Sequence, residues 1–211
     1  MKNIIFIAPP AAGKGTQSNI LKEKYDYAHI STGDMLREAI NSGSKLGMDV
    51  KNIIDKGELV SDEIIIKLVA EKLASLKGKP FILDGFPRTL NQAIALEKII
   101  DDNYVTIYLD LSEEEAISRI TGRLTCSCGK SYNINIDSLK PKIVGICDAC
   151  GSNLIKRDDD NVDAFKIRFK TFLDNTEALL DYYNSKNKLV KIDVNRKVSD
   201  IFNDISGVVN D

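Results

Sequence analysis

Four short apolar runs, Ile4 to Ile7, Phe81 to Leu83, Val105 to Leu109 and Leu189 to Ile192, constrain this chain more than any other feature. Each has the length of a strand, and none alternates cleanly between apolar and polar residues. A strand with one wet face alternates, so these read as strands buried on both faces, which calls for a parallel sheet covered by helices. Ile30, just ahead of Ser31-Thr32-Gly33-Asp34, belongs to a fifth, shorter strand in this reading. Helical patterns fill the intervals. Asp62 is placed to cap a helix carrying Ile65, Leu68, Val69 and Leu73 that stops near Gly78. Thr89 to Gln92 and Ser112 to Glu115 have capping-box spacing and open helices through Ile100 and toward Arg119. From Val162 to Tyr183 the residues Phe165, Phe169, Phe172, Leu173, Leu179 and Leu180 recur with a helical period. Strand and helix in alternation specify a doubly wound α/β fold, whose ligands bind at the carboxyl ends of the strands.

Two stretches break the rhythm. Residues 31 to 60 carry two short helical patterns ended by Gly43 and Gly57 with no strand between them. Residues 122 to 160 hold all the cysteines, a loop-rich run from Asn133 to Asp137, and Pro141. The expected organisation is one core (1–30, 61–121 and 161–211) with two inserted small domains, and 211 residues suffice for it. The 29 basic and 31 acidic side chains leave a net charge of -2, so no broad positive field favours nucleic acid. Apolar runs fall far short of the ~20 residues a membrane span needs, and Met1-Lys2-Asn3 leads straight into a strand; a soluble cytoplasmic chain without an export signal is expected.

After the first strand comes Ala8-Pro9-Pro10-Ala11-Ala12-Gly13-Lys14-Gly15-Thr16-Gln17, then a helical pattern. Strand, tight loop, Gly-Lys and helix start form the context of a phosphate cradle, because unpaired backbone N–H groups and the helix dipole attract an anion there and Lys14 adds a point charge. The bland alternative is a strand-to-helix turn in which Gly13 and Gly15 only permit the bend. A Walker A loop has Gly where this chain has Ala8, and Gly15 occupies the usual Ser/Thr place with Thr16 one later. A positive φ at Ala8 would cost ~1 kcal/mol or more, so an ordinary backbone angle is expected there.

Pro10-x-x-Gly13-Lys14-Gly15-Thr16-Gln17, Ser31-Thr32-Gly33-Asp34 and Leu83-Asp84-Gly85-Phe86-Pro87-Arg88, in this order and spacing, resemble the adenylate kinases of the long form with a large lid. The resemblance covers essentially the whole chain, with Ala8 and Ala11 standing where glycines are usual. It implies a P-loop core with an AMP-binding insertion (31–60) and a lid (122–160), Mg²⁺-dependent transfer of a phosphoryl group from ATP to AMP giving two ADP, and a monomer. Ala11, Ala12, Gly13, Lys14, Gly15 and Thr16 would face ATP phosphates. Asp84, closing its strand at the ligand edge, can hold water on a Mg²⁺ that bridges the phosphates, with Asp34 assisting. As a lone residue Asp84 also fits a strand-to-loop turn.

Two nucleotides bring about five phosphate groups to neutralise and align, work that guanidinium forks suit. Lys14, Arg37, Arg88, Arg119, Arg123, Arg157 and Arg168 are the candidates, although each alone is also an ordinary surface charge. Arg119 and Arg123 share a face if their helix persists past Gly122. The resemblance assigns Arg37 and Arg88 to AMP phosphate, Arg123, Arg157 and Arg168 to the transferring group, and Arg119 to ATP, with Arg157 and Arg168 reaching AMP as well. It places Thr32 and Gln92 at adenine, Glu58, Leu59 and Val60 along the AMP pocket, Gly85, Phe86 and Pro87 beside AMP, backbone near Arg196 at the ATP base, and Ser131 and Tyr132 near ATP. Gln92 is also the last residue of the Thr89-x-x-Gln92 capping box, a competing use of the same side chain. The acceptor is an ionised phosphate oxygen and needs no general base, so the single histidine, His29, reads as packing or surface.

The four cysteines lie between Cys126 and Cys150, too clustered for a disulfide scaffold. Cys147-Asp148-Ala149-Cys150-Gly151 is a zinc knuckle, and Cys126-Ser127-Cys128-Gly129 is one residue shorter than usual. Four thiolates complete a tetrahedral shell for a structural Zn²⁺, free or disulfide-bonded cysteines being the alternative. Two other functions remain open: another nucleoside monophosphate kinase of the UMP/CMP type, and a non-catalytic nucleotide- or zinc-binding module with an altered phosphate loop.

Overall fold

The computed structural model describes residues 1–56 and 58–210. Five parallel strands form the central sheet: β1 (Asn3–Ile7), β2 (Ala28–Ser31), β3 (Phe81–Asp84), β4 (Tyr104–Asp110) and, from the far end of the chain, Leu189–Asp193, in the order β2-β3-β1-β4 and then that last strand. The fifth strand expected around Ile30 is present. Side chains explain why the runs do not alternate. Ile4 and Phe6 enter one apolar core while Ile5 and Ile7 enter another on the opposite face, and all four are buried. Each fully buried side chain of this kind contributes about 1.5–3 kcal/mol relative to exposure.

Helices cover both faces. In chain order they are α1 (Lys14–Tyr25), α2 (Thr32–Asn41), α3 (Lys45–Asp55), α4 (Asp62–Ser75), α5 (Leu90–Leu96), α6 (Glu113–Thr121), α7 (Val162–Ser185) and α8 (Val198–Asn210). Between α6 and α7 runs a hairpin of β5 (Arg123–Thr125) and β6 (Ser131–Asn133), followed by a 3₁₀ turn at Asp137–Leu139; the fifth sheet strand is therefore β7. Ser112 caps α6 and Thr89 caps α5 through the N–H groups of Glu115 and Gln92, as the capping-box spacing predicts.

Several expectations are corrected. Asp62 is the first residue of α4 and not its cap; Ser61 takes that place, without a side-chain bond. The helix opening at Thr89 ends at Leu96 instead of running to Ile100. α6 stops at Thr121, so Arg119 and Arg123 do not share a helical face. Leu173 of the long helix is exposed, because Phe169 and Phe172 already cover the sheet side of that turn. The helix end expected at Gly57 lies outside the described residues. At the amino edge of the sheet, Glu97 accepts bonds from Tyr104 (2.9 Å), Tyr182 (2.7 Å) and Lys186 (2.9 Å), a knot that ties α5, β4 and α7 together.

Candidate functional site

At the opposite, carboxyl edge, the turn after β1 delivers the chain into α1. Gly13 is the N-cap residue at φ 90°, a conformation open to glycine, and no side chain caps the helix. The first N–H groups of α1 are therefore unpaired toward the cavity in front of them. Ala8 has no positive φ, as expected; Ala11 does, at 65°. The strain that an absent glycine imposes, about 1 kcal/mol or more, falls on Ala11 instead. Lys14 Nζ donates to the carbonyls of Ala8 (3.1 Å) and Pro9 (3.2 Å). Burial lowers its pKa from 10.5 to about 8; Asp84 opposes the shift and Arg88, Arg168 and Arg123 add to it.

The loop residues Ala11 to Thr16 line a cavity of about 530 Å³, and all seven basic side chains singled out in the sequence line it as well. Five of them are paired with carboxylates. Arg123 grips the buried Asp160 with both Nε and Nη2, while Arg168 Nη1 donates to Asp159 Oδ2 (2.8 Å). Arg37 donates to Asp34 Oδ1 (2.6 Å), with Arg157 3.6 Å from the same oxygen. Arg119 bonds Glu115 (3.0 Å) and the carbonyl of Val194 (2.8 Å), bracing the loop whose Asn195, Arg196 and Lys197 wall the cavity. The Arg196 guanidinium donates to Asp204 Oδ2 (2.5 Å). Asp34 thus meets both arginines through Oδ1.

Asp84 ends β3, and His29, from the neighbouring β2, brings Nε2 to 3.3 Å of Asp84 Oδ2. Burial would raise the Asp84 pKa, but the His29 hydrogen bond and the Lys14 charge outweigh it and bring it to about 2. This carboxylate stays ionised and is the residue here suited to hold the hydration shell of Mg²⁺. His29 therefore belongs to the site and is not mere packing. Together with Asp159 and Asp160 it is what the sequence reading missed. The Asp158-Asp159-Asp160 run directly after Arg157 was the available signal, since paired arginines need acids close by.

A second cavity, of about 70 Å³, shares Gly33, Arg37, Gly85, Arg88 and Arg168 with the first. Thr32, Gln92 and Glu58 to Val60 line it. Gly85 at φ 80° forms its lip, where an added Cβ would lie 2.9 Å from Arg88 Nη2 and 3.0 Å from Thr32 Oγ1. Only glycine lets these two groups close on the Gly85 carbonyl, to which Thr32 Oγ1 (2.9 Å) and Arg88 Nε (2.8 Å) both donate. Phe86 is wholly buried in the core and lines neither cavity, and Pro87 faces a third hollow of about 90 Å³ behind Arg88. Gln92 is buried. Its N–H serves the Thr89 cap while its side chain accepts from Arg88 N (2.7 Å) and donates to Asp62 (2.7 Å), so capping and side-chain chemistry do not compete.

In the β5–β6 segment the four cysteine sulfurs lie within 4.8 Å of one another, with Cys126 3.4 Å from Cys150 and Cys128 3.7 Å from Cys147. A tetrahedral shell with 2.3 Å metal–sulfur bonds has sulfurs about 3.8 Å apart, so the set fits a closed structural site. The short Cys126-Ser127-Cys128 spacing is accommodated because Gly129, at φ 90°, returns its N–H to Cys126 O (3.0 Å), as Gly151 does to Cys147 O (2.9 Å). Ser131 and Tyr132 both line the large cavity, the Tyr132 hydroxyl meeting Cys147 Sγ (3.4 Å) and accepting from Asp148 N (2.8 Å). Lys130 reaches Glu23 (2.9 Å) and Asn19 donates to Gly129 O (3.2 Å), docking this segment on α1.

Comparison with known proteins settles the family. The family described as adenylate kinase matches residues 6–188. The chain belongs to the adenylate kinase family. It is 42% identical over 208 residues to the adenylate kinase of Methanococcoides burtonii, with 96% of each chain covered. The adenylate kinase of Petrotoga mobilis is 43% identical over 214 residues, covering 98% of this chain and 96% of the relative. That of Fervidobacterium nodosum is 44% identical over 205 residues, with 94% and 93% covered. The two cavities share Arg37, Arg88 and Arg168.

Proposed function

We propose that this adenylate kinase family member transfers the terminal phosphoryl group of ATP to AMP, reversibly and with Mg²⁺, giving two ADP. The observation that carries the reading is the convergence of seven cationic side chains on one cavity that shares Arg37, Arg88 and Arg168 with a smaller one. The triphosphate lies along the N-terminus of α1 with Lys14 on its outer phosphates. AMP takes the small cavity, its phosphate between Arg37 and Arg88. Arg123, Arg157 and Arg168 clamp the group in transit. Mg²⁺ bound with ATP would supply neutralisation of phosphate charge, and Asp84, oriented by His29, would be the residue to hold it.

The attacking oxygen belongs to a phosphate already ionised at neutral pH, so no side chain removes a proton; alignment and charge stabilisation carry the rate. Asp34, Asp159 and Asp160 keep the guanidinium planes in place until phosphate oxygens take over their bonds. Lid residues 122–160 exclude water from the transferring group. The lid contributes only Cys126, Tyr132 and Cys147 as buried residues of its own core, and a structural Zn²⁺ on the four thiolates supplies the cohesion that so small a core lacks. Free thiols are consistent with a reducing cytoplasm, and among the described residues no helix is long and apolar enough to cross a membrane. The chain acts as a monomer in this reading.

The test is turnover with ATP and each of AMP, CMP, UMP and GMP. AMP is expected to be the preferred acceptor; faster turnover of a pyrimidine nucleotide overturns the adenine assignment, and no transfer to any acceptor overturns the kinase assignment. Binding of two adenosines joined through five phosphates, measured by calorimetry, checks that both cavities fill together.

A further inference from the structure

Gln92 is the one amide lining the small cavity, and an amide is ambiguous: turned over, it exchanges a donor for an acceptor. Here its orientation is dictated from both ends. The Arg88 backbone N–H can only donate, so the group facing it at 2.7 Å is Oε1. Both oxygens of the Asp62 carboxylate act as acceptors, and the group facing Oδ1 at 2.7 Å is Nε2. Asp62 is held in turn, its Oδ2 accepting from Thr89 Oγ1 at 3.0 Å. Thr89 Oγ1 also accepts from Gln92 N at 3.2 Å, closing a ring of bonds between the first turns of α4 and α5. Turning the amide over would set donor against donor and acceptor against acceptor. Each end of the Gln92 amide spends one bond on this ring and retains one: a second lone pair on Oε1 and a second hydrogen on Nε2.

A 6-aminopurine offers a donor at N6 beside an acceptor at N1, the complement of an amide presenting an acceptor beside a donor. A 6-oxopurine reverses both, with an acceptor at O6 and a hydrogen on N1. A site committed to one polarity rejects the reversed base, because the buried polar groups are left facing their own kind. We propose that Asp62, which lines neither cavity, is a positioning residue that fixes the polarity of Gln92 and thereby the preference for a 6-amino over a 6-oxo purine at the acceptor site. This rests on the reading of the small cavity as the acceptor-nucleotide site.

The experiment measures kcat and KM of the full-length enzyme for AMP and for IMP, the 6-oxo counterpart, with ATP saturating. In Asp62→Ala the KM for AMP is expected to rise about tenfold with kcat held within about threefold, and the AMP-over-IMP ratio of kcat/KM to fall about tenfold. Asp62→Asn, whose amide oxygen can still accept from Gln92 Nε2 while its nitrogen donates to Thr89 Oγ1, is expected to restore the ratio. If Asp62→Ala does not fold, Asp62→Glu, which keeps the charge but displaces the carboxylate, takes its place with the same expected fall. An AMP-over-IMP ratio unchanged in the folded disrupting variant overturns the proposal, as does a fall of the same size in a Gln92→Ala background, where Asp62 has no amide to orient. A purely structural role would lower the melting temperature and leave the ratio alone. Failure of the wild-type enzyme to use AMP at all is a different outcome and overturns the parent assignment.

Discussion

Lys14 shows how much one side chain can be asked to do. It is buried, bonded to two carbonyls of its own loop, and has a pKa lowered to about 8 by that burial. In the free enzyme its charge is lost as the pH rises through about 8, whereas a bound triphosphate favours the proton by adding negative charge. The KM for ATP is therefore expected to climb above about pH 8 while the KM for AMP stays flatter; equal pH dependence of the two would refute the link to Lys14. Lys14→Ala should lower kcat by about 10²–10³ with the fold retained, since it removes charge stabilisation at the transferring phosphates. Near-normal turnover would remove Lys14 from the mechanism. Local chemistry of this kind was legible in the sequence because Gly13, Lys14, Gly15 and Thr16 are consecutive, with a strand before them and a helical pattern after. The bond from His29 to Asp84, and that from Gln92 to Asp62, join residues 55 and 30 positions apart and leave no periodic trace.

Among elements, the strands were legible because both faces are apolar, and the α5 and α6 starts because a cap is a local event. Where tertiary contact decides, as in the premature end of α5 at Leu96 or the break after Thr121 that redirects Arg123 into β5, local pattern was silent. The lid is the element whose integrity depends least on packing. Cys150→Ser is expected to lower the melting temperature by several degrees, on a scale where 1 kcal/mol is worth about 2–4 °C for a chain of this size, while turnover at low temperature changes little. A chelator should lower the wild-type melting temperature toward that of the variant and leave the variant itself unmoved. Metal analysis finding no zinc in the purified wild type would end the assignment.

For the whole molecule, the sheet separates two apolar cores. Ile107 belongs to one and Ile30, across two intervening strands, to the other. Ile107→Val and Ile30→Val are each expected to cost about 0.5–1.5 kcal/mol and to add within about 0.5 kcal/mol in the double variant, read from denaturant midpoints. Marked non-additivity would mean that the two cores respond as one. The same chain must also tolerate a crowd of cations at one edge, and here the acidic partners have a further meaning. Asp34, Asp159 and Asp160 quench the mutual repulsion of Arg37, Arg123, Arg157 and Arg168 before any nucleotide arrives. Folding can thus be completed with much of that positive charge already offset, and an incoming substrate has only to trade places with anions the protein brought for itself.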